Sequence, residues 1–364
     1  MSPDVQLAAR SVPWSALTDV ELAAWRRLQA EDPALASPYF TPEFAAAVAR
    51  VRPDVRVAVL ADGRGPCAFL PHQRRGRVAY PLAGSFSDFQ ALIAERGLEW
   101  TADDLLRAAG AHSFRFDHWL ASQAPAAAAA ERTAPSPYAD LSRGYDAYLA
   151  DIAARSDQMV KVGQRRRKIA REHGPTRFEL RSRDASALEQ VIEWKAEQFR
   201  RTQLPDPFAH AWARDLLHDL LCTDGDALAG WLSTLHVGDR LVAAHMGMRC
   251  RTVLHYWFPV YDHAFHQYGP GLLLLTEILQ AASRAGIERV DFGKGEDAWK
   301  PRFMSGTTAV VEGCLERAGL RAGWRRVHRS LVDSLRRSPL RRFGAWPARR
   351  LRRLVAARRL RLHG

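Results

Sequence analysis

The sequence predicts an α+β protein of two related domains, each built on a mixed and mostly antiparallel sheet. Three observations carry this. The 364 residues are 47 % hydrophobic and 26 % charged, an ordinary globular balance at a length that suits two domains better than one. Strand-like runs come in groups of three, joined by short turns. The order meander, helix, strand occurs twice along the chain.

Residues 55–82 hold the first meander. "VRVAVLA" and "PCAFLPH" are parted by "DGRG", and "RVAYPLAG" follows the turn-like "RRGR". The helical "TADDLLRAAG" and the strand "SFRFDHW" complete the first unit. "ASQAPAAAAAERTAPSP" at 121–137 is Ala/Pro-rich and reads as a linker or loop between halves. Domains are therefore expected at 1–137 and 138–318, with 319–364 as a tail.

The second unit opens with a long helical region, about 145–172, containing the basic "KVGQRRRKIAR". The strand "TRFELRS" and the amphipathic helices "ALEQVIEWKAEQFRR" and "WARDLLHDLLC" follow. "GWLSTLHV", a "GD" turn, "LVAAHMGM" and "VLHYWFPVY" read as adjacent antiparallel strands. "GPG" then opens the helix "LLLLTEILQAASRAG", ended by Gly286. "IERVDF" returns as a strand, and "TTAVVEGCLE" is expected to close the sheet.

Bulk properties narrow the class. No window is apolar enough to span a bilayer, and "MSPDVQLAARSVPW" lacks the basic start and apolar core of a secretory signal. Cys67, Cys222, Cys250 and Cys314 have no paired spacing, which argues against a disulfide framework and for a reducing cytoplasm. The net charge of +13 is local: residues 321–364 hold 15 arginines and one acid, Asp333, leaving 38 basic and 39 acidic residues elsewhere. The basicity belongs to an appendage.

"HQYGPG" at 266–271 lies between a strand and a helix. A helix start behind glycines exposes unpaired N–H groups and the positive end of the helix dipole, a good anion site. Gly269 and Gly271 would equally serve a tight turn alone, and Pro270 removes one donor. The second cluster is "DFGKGEDAWKPRF", 291–303, where both signs of charge gather at the mouth of a buried strand.

A meander, then [Q/R]-x-x-G-x-G/A, a helix and a strand resembles the acyl-CoA-binding core of the GNAT acetyltransferases, with His266 where that family has Gln or Arg. "AAHMGM", "HYWFPVYD", "YGPGLLLL" and "VDFGKGEDAWKPRF" together resemble the cellulose-biosynthesis-associated acetyltransferases (CelD-like, with a BioF2-like domain). That group is similar to the Fem-type peptidyltransferases, which carry two GNAT-like halves. The likeness covers most of 35–317 and is strongest over 241–303. It implies two tandem GNAT-like domains, the first degenerate, and a cleft between splayed strands that takes an acyl donor, acetyl-CoA by default. His266, Gly269, Pro270, Gly271 and Leu272 would hold the CoA. Transfer needs a base and a donor for the oxyanion or thiolate. Asp291, Glu296 or His245 is the candidate base. Lys300 matches the lysine of the Fem-like [Y/W]-K-x-x-F ending, and Tyr261 would protonate the thiolate. Each residue also has a plain reading: a turn cap at Asp291, solvated pairs among Lys294, Glu296 and Asp297, a core histidine at His245, an exposed lysine at Lys300.

Arg165, Arg166, Lys168 and Arg171 share one helix and suit a CoA phosphate, an anionic sugar or plain solvent. His263 and His266 near Asp262 lack further ligands, so no metal is expected. In the tail, Trp324, Val327, Leu331 and Leu335 recur at helical spacing among arginines, which suits an anionic membrane surface at the inner face, with RNA as rival. The expected function is acyl transfer from CoA to a saccharide or amine acceptor in exopolysaccharide, cellulose or cell-envelope biosynthesis. The alternatives are aminoacyl transfer from charged tRNA to a cell-wall precursor, and a catalytically degenerate scaffold binding polysaccharide or protein.

Overall fold

The computed structural model describes residues 7–295 and 297–317; Glu296 and the arginine-rich 319–364 lie outside the described residues. In the first half, β1 (Ala8–Pro13), β2 (Arg56–Asp62), β3 (Gly65–Arg75) and β4 (Val78–Pro81) run antiparallel in sequence order, and β5 (Ile93–Ala94) adds to β3. Helices α1 (Asp19–Glu31) and α2 (Pro42–Val51) lie between β1 and β2. α1 starts at a capping box: the Glu21 N–H donates to Thr18 Oγ1 at 3.3 Å, and the Thr18 N–H donates to the Glu21 carboxylate at 3.0 Å. Thr101 and Asp104 start α3 (Ala102–Ala108) in the same way. β6 (Ser113–Leu120) then pairs parallel with β4.

The second half repeats this order. α5 (Tyr145–Ala153), α6 (Gln158–His173), β8 (Thr176–Ser182), α7 (Ala185–Arg201) and α8 (Ala211–Cys222) lead into the meander β9 (Ala229–Val237), β10 (Arg240–Cys250) and β11 (Val253–Tyr261). α9 (Pro270–Arg284) follows, then β12 (Arg289–Asp291), which pairs parallel with β11. In each half, then, the last meander strand gains a parallel neighbour after a helix, β4 with β6 and β11 with β12.

Two expectations fail at the junction. Residues 121–137 are not an open linker: they form α4 (Ala124–Ala128) and most of β7 (Ala130–Asp140). Ala and Pro carry no strand signal, and a proline in a central strand removes a ladder donor. Pro135 and Pro137 escape that cost because the β12 ladder ends at Tyr138 of β7: the last bond on that side runs from the Phe292 N–H to the Pro137 carbonyl and asks no donor of proline, and Pro135 pairs only with β13 (Gly306–Glu316). β13 does not close the sheet at an edge; after the short α10 (Lys300–Phe303) it inserts between β6 and β7. One continuous sheet of 13 strands results, in the order β1-β2-β3-β4-β6-β13-β7-β12-β11-β10-β9-β8 with β5 on β3.

Helices cover both faces. Leu188, Val191 and Ile192 of α7 and Leu216, Leu217 and Leu220 of α8 pack with α2 against Ala244, Met246 and Trp257. Leu274, Leu275 and Ile278 of α9 pack on the opposite face with α5, α6, Ala243, Leu254 and Tyr256. Each buried leucine contributes about 1.5–3 kcal/mol.

Candidate active site

β10 and β11 lose register at one place. Met246 faces Phe258 and Met248 faces His255, so Gly247 opposes both Tyr256 and Trp257. This is a β-bulge, and the extra residue bends its strand. A side chain at Gly247 has no room: its Cβ would stand 2.5 Å from the His255 carbonyl oxygen. The parallel pairing of β11 with β12 stops at the same level, at His255 and Asp291. Past that point β11 continues to Tyr261, while the chain after β12 turns off through Gly293 and Gly295, at φ +71° and +147°. The strands splay, and a cleft of about 560 Å³ opens between them.

The cleft passes through the sheet. At the bulge Tyr256 joins the core under α9 and Trp257 joins the core under α7, and both line the opening. On the α9 face lie Tyr261, His266, Gly269, Gly271, Leu272 and Arg165; on the α7 side stand Lys195 and Gln198, one helical turn apart.

The start of α9 brings helix-end amides beside a cation. Gly269 caps the helix in the left-handed region, φ +61°, a conformation open to glycine at little cost. The Gly269 N–H donates to His266 O at 3.0 Å, and the Leu272 and Leu273 N–H groups both donate to Gly269 O. Pro270 has no N–H, so the Gly271 N–H is left without an acceptor among the described residues. The Arg165 guanidinium compensates: a Cβ placed on Gly269 would be 2.7 Å from its Nη1. Arg166 pairs with Glu277, whereas Arg165 has no acidic partner among the described residues. A free amide, a helix dipole and a guanidinium thus share one wall of the cleft.

The other candidates divide. Lys300 lines the cleft, but its buried ammonium donates to Gly293 O at 3.1 Å and Lys294 O at 3.4 Å and pairs with Asp297 at 3.0 Å, so it ties the post-β12 loop together. Tyr261 is 41 % exposed and flanks Gly271, where an added Cβ would lie 3.4 Å from its ring. His266 is exposed and stacks on His263 at 5.2 Å. Asp291 is buried outside the cleft wall and accepts from Arg289 Nε at 2.7 Å. His245 stands behind Tyr256, stacked on it at 4.3 Å, and both its ring nitrogens are unpartnered. Burial lowers its pKa to about 3. Among the described residues no group of three or more His, Cys, Asp or Glu is placed to hold a metal. No helix there is long and apolar enough to cross a membrane.

Two features escaped the sequence reading. Lys195 falls at i+4 from Val191 and i+3 from Ile192, inside the apolar stripe of α7, a signal visible in the sequence. Burial lowers its pKa to about 8, with Asp297 and Asp88 pulling the other way. The second is a polar seam between halves. His255 Nε2 lies 3.0 Å from Asp88 Oδ2, and His118 lies between Asp88 at 3.7 Å and Asp117 at 3.0 Å. Nothing in the sequence links residues so far apart.

This fold, two meander-helix-strand units in one sheet with a bulge-opened cleft in the second, is that of a tandem GNAT protein. Residues 156–301 match the family model described as an acetyltransferase (GNAT) domain. Among solved structures, the chain is similar to a tandem GNAT protein from the clavulanic acid biosynthesis pathway, 12 % identical over 86 % of this chain and 99 % of that one, with a TM-score of 0.52. It is also similar to FemX, 10 % identical over 87 % of this chain and 99 % of that one, again at 0.52. No curated protein matches the sequence.

Proposed function

We propose that the chain moves an acyl group, acetyl in the simplest case, from CoA to a hydroxyl or amine acceptor in exopolysaccharide or other cell-envelope biosynthesis. The observation that carries this is the convergence of the Gly271 N–H, the α9 dipole and Arg165 at one end of a cleft through the sheet. The lining also holds Lys300 and Arg302 against one described acid, Asp297, which suits an anionic ligand. Residues 138–318 form the catalytic unit in this reading. In the first half the matching gap beside β6 is filled by Gln90, whose side-chain Oε1 accepts from the Asp117 and His118 N–H groups, so residues 1–137 serve as scaffold. Tyr261 protonates the departing thiolate, Lys300 holds Gly293, Lys294 and Asp297 together, and Glu296 is the proposed base. The envelope pathway rests on the CelD-like resemblance of 241–303, and membrane association on the composition of 321–364.

Calorimetric titration of acetyl-CoA into the purified chain tests the reading. Binding that Gly271→Asp abolishes is expected, and no heat at millimolar ligand would overturn it.

Aminoacyl transfer from charged tRNA is the second reading. The basic face of α6 and the 15 arginines of 321–364 favour it. Salt-dependent tRNA retention lost on deleting 321–364 would support it, and indifference to tRNA would reject it.

A further inference from the structure

We propose that Lys195 is a self-acylation site, its amine facing the point where the thioester of a bound acyl-CoA emerges on the α7 side of the sheet. The inference rests on the acyl-CoA reading above. Its geometric basis is the passage at the bulge. A donor whose phosphates sit at Gly271 and Arg165 enters from the α9 face, and the gap between β11 and the chain leaving β12, lined by Tyr256 and Trp257, leads its acyl end toward α7. Lys195 and Gln198 are the α7 side chains that meet it there.

The environment of Lys195 differs from that of the other four lysines. Lys161 pairs with Asp157, Lys300 with Asp297, Lys294 donates to the Asp117 carbonyl, and Lys168 lies exposed over the Tyr268 ring. Lys195 is half-buried, with no carboxylate within ion-pair distance among the described residues; its ammonium lies 5.9 Å from the Phe199 ring on its own helix. A lysine so placed gives up its proton more readily than an exposed one. With a pKa of about 8, roughly a tenth of it is the neutral amine at pH 7.

The reaction needs no further reagent. The neutral Nζ attacks the acyl carbon, the N–C bond forms, the C–S bond breaks, and the proton lost from nitrogen passes through solvent to the thiolate. The products are an Nε-acyl-lysine and free CoA thiol. The amide is uncharged and larger than the amine, so it removes a cation from the cleft and narrows the acceptor side. A lysine that merely lays its stem along the helix and sends its charge to solvent would react no differently from its exposed counterparts.

The test incubates the full chain with acetyl-CoA at about pH 8 and quantifies acetylation by peptide mass spectrometry, with Lys161 and Lys168 as internal comparators. Lys195 should react at least ~10-fold faster than either, saturate with acetyl-CoA and slow on addition of free CoA. Its rate should level off above pH 8. Lys195→Arg should remove the modified peptide, and Gly271→Asp should suppress it by loss of binding. If CoA binds in the calorimeter but Lys195 reacts no faster than Lys161 and Lys168, the proposal falls and the acyl-CoA reading stands. Fast labelling that is linear in acetyl-CoA and indifferent to free CoA is bulk chemistry, and it too overturns the proposal. Absence of any CoA binding removes both.

Discussion

Asp88, from the first half, and His255, on β11 of the second, form a hydrogen bond of 3.0 Å across the seam between the two GNAT-like units. His255 is fully buried, and Asp88 lies beneath Gly293, where an added Cβ would be 2.9 Å from its Oδ2. The bond thus braces β11 and the post-β12 loop, the two walls of the cleft, from the other half of the molecule. Burial raises the Asp88 carboxyl, but the bond to His255 and the charges of His255, His118 and Lys300 outweigh it and hold the group below its ordinary value.

Asp88→Ala should therefore cost about 1.5–3 kcal/mol in urea unfolding at pH 7, the range for a charge-assisted hydrogen bond. Because the folded pKa is depressed, the stabilisation is present above the unfolded carboxylate pKa and fades as pH falls through the folded one. The gap between wild type and variant should be widest at neutral pH and close in acid. A gap unchanged between pH 7 and pH 3 would show that packing, not charge, joins the halves.

Arg165 and Gly269 make a separable pair. Arg165→Ala removes a phosphate partner and should weaken CoA binding roughly 10- to 100-fold, leaving the unfolding midpoint near wild type. Gly269→Ala should weaken both, since it strains a residue at φ +61° and displaces the guanidinium. Calorimetry paired with denaturant titration separates the two effects. Equal loss of stability in both variants would mean that Arg165 holds the fold and not the ligand.

Gly247→Ala tests the bulge. Its Cβ would meet the His255 backbone carbonyl at 2.5 Å, and backbone cannot swing aside as a side-chain tip can. A cost of about 1–3 kcal/mol is expected from overpacking, together with loss of CoA binding as the splay changes. Wild-type affinity in this variant would separate the cleft from the bulge.

His245 should reveal itself through acid sensitivity. Its folded pKa of about 3 lies below the ordinary 6.5, so between these values the unfolded chain binds one proton more than the folded one. Folding stability then drops by up to about 1.4 kcal/mol for each unit the pH is lowered through this range. His245→Phe keeps a ring on Tyr256 and abolishes that slope. Its ΔG-against-pH curve should be flatter below pH 6.5 and should cross that of the wild type. Parallel curves would mean that His245 is protonated in the folded chain and has a partner for its charge.

Much of the second half was readable because its signals are local. The apolar stripes of α7, α8 and α9, the three strands of the meander and the glycines around Pro270 each declare themselves within about ten residues. The turn into α9 appears where the spacing put it, and Pro270 has no N–H to offer there. What the turn lacks in amides it recovers from Arg165, a residue visible in "QRRRKIAR" but not tied by spacing to Gly269. Glu296 and the tail, by contrast, lie outside the described residues.

Periodicity, capping boxes and turn glycines belong to single segments, so the sequence alone determined the elements and their repeated order. Which strand lies beside which depends on contacts between distant residues, and these were decided only in the assembled sheet. That is why Ala/Pro-rich β7 and the last strand, β13, were misplaced, and why the bulge opposite Gly247 came unannounced. The same holds for the chemistry. His245 and Lys195 are both ionisable groups on regular elements, yet one is sealed behind Tyr256 and the other opens into the cleft, because face and neighbours, not residue type, set how much water each one meets.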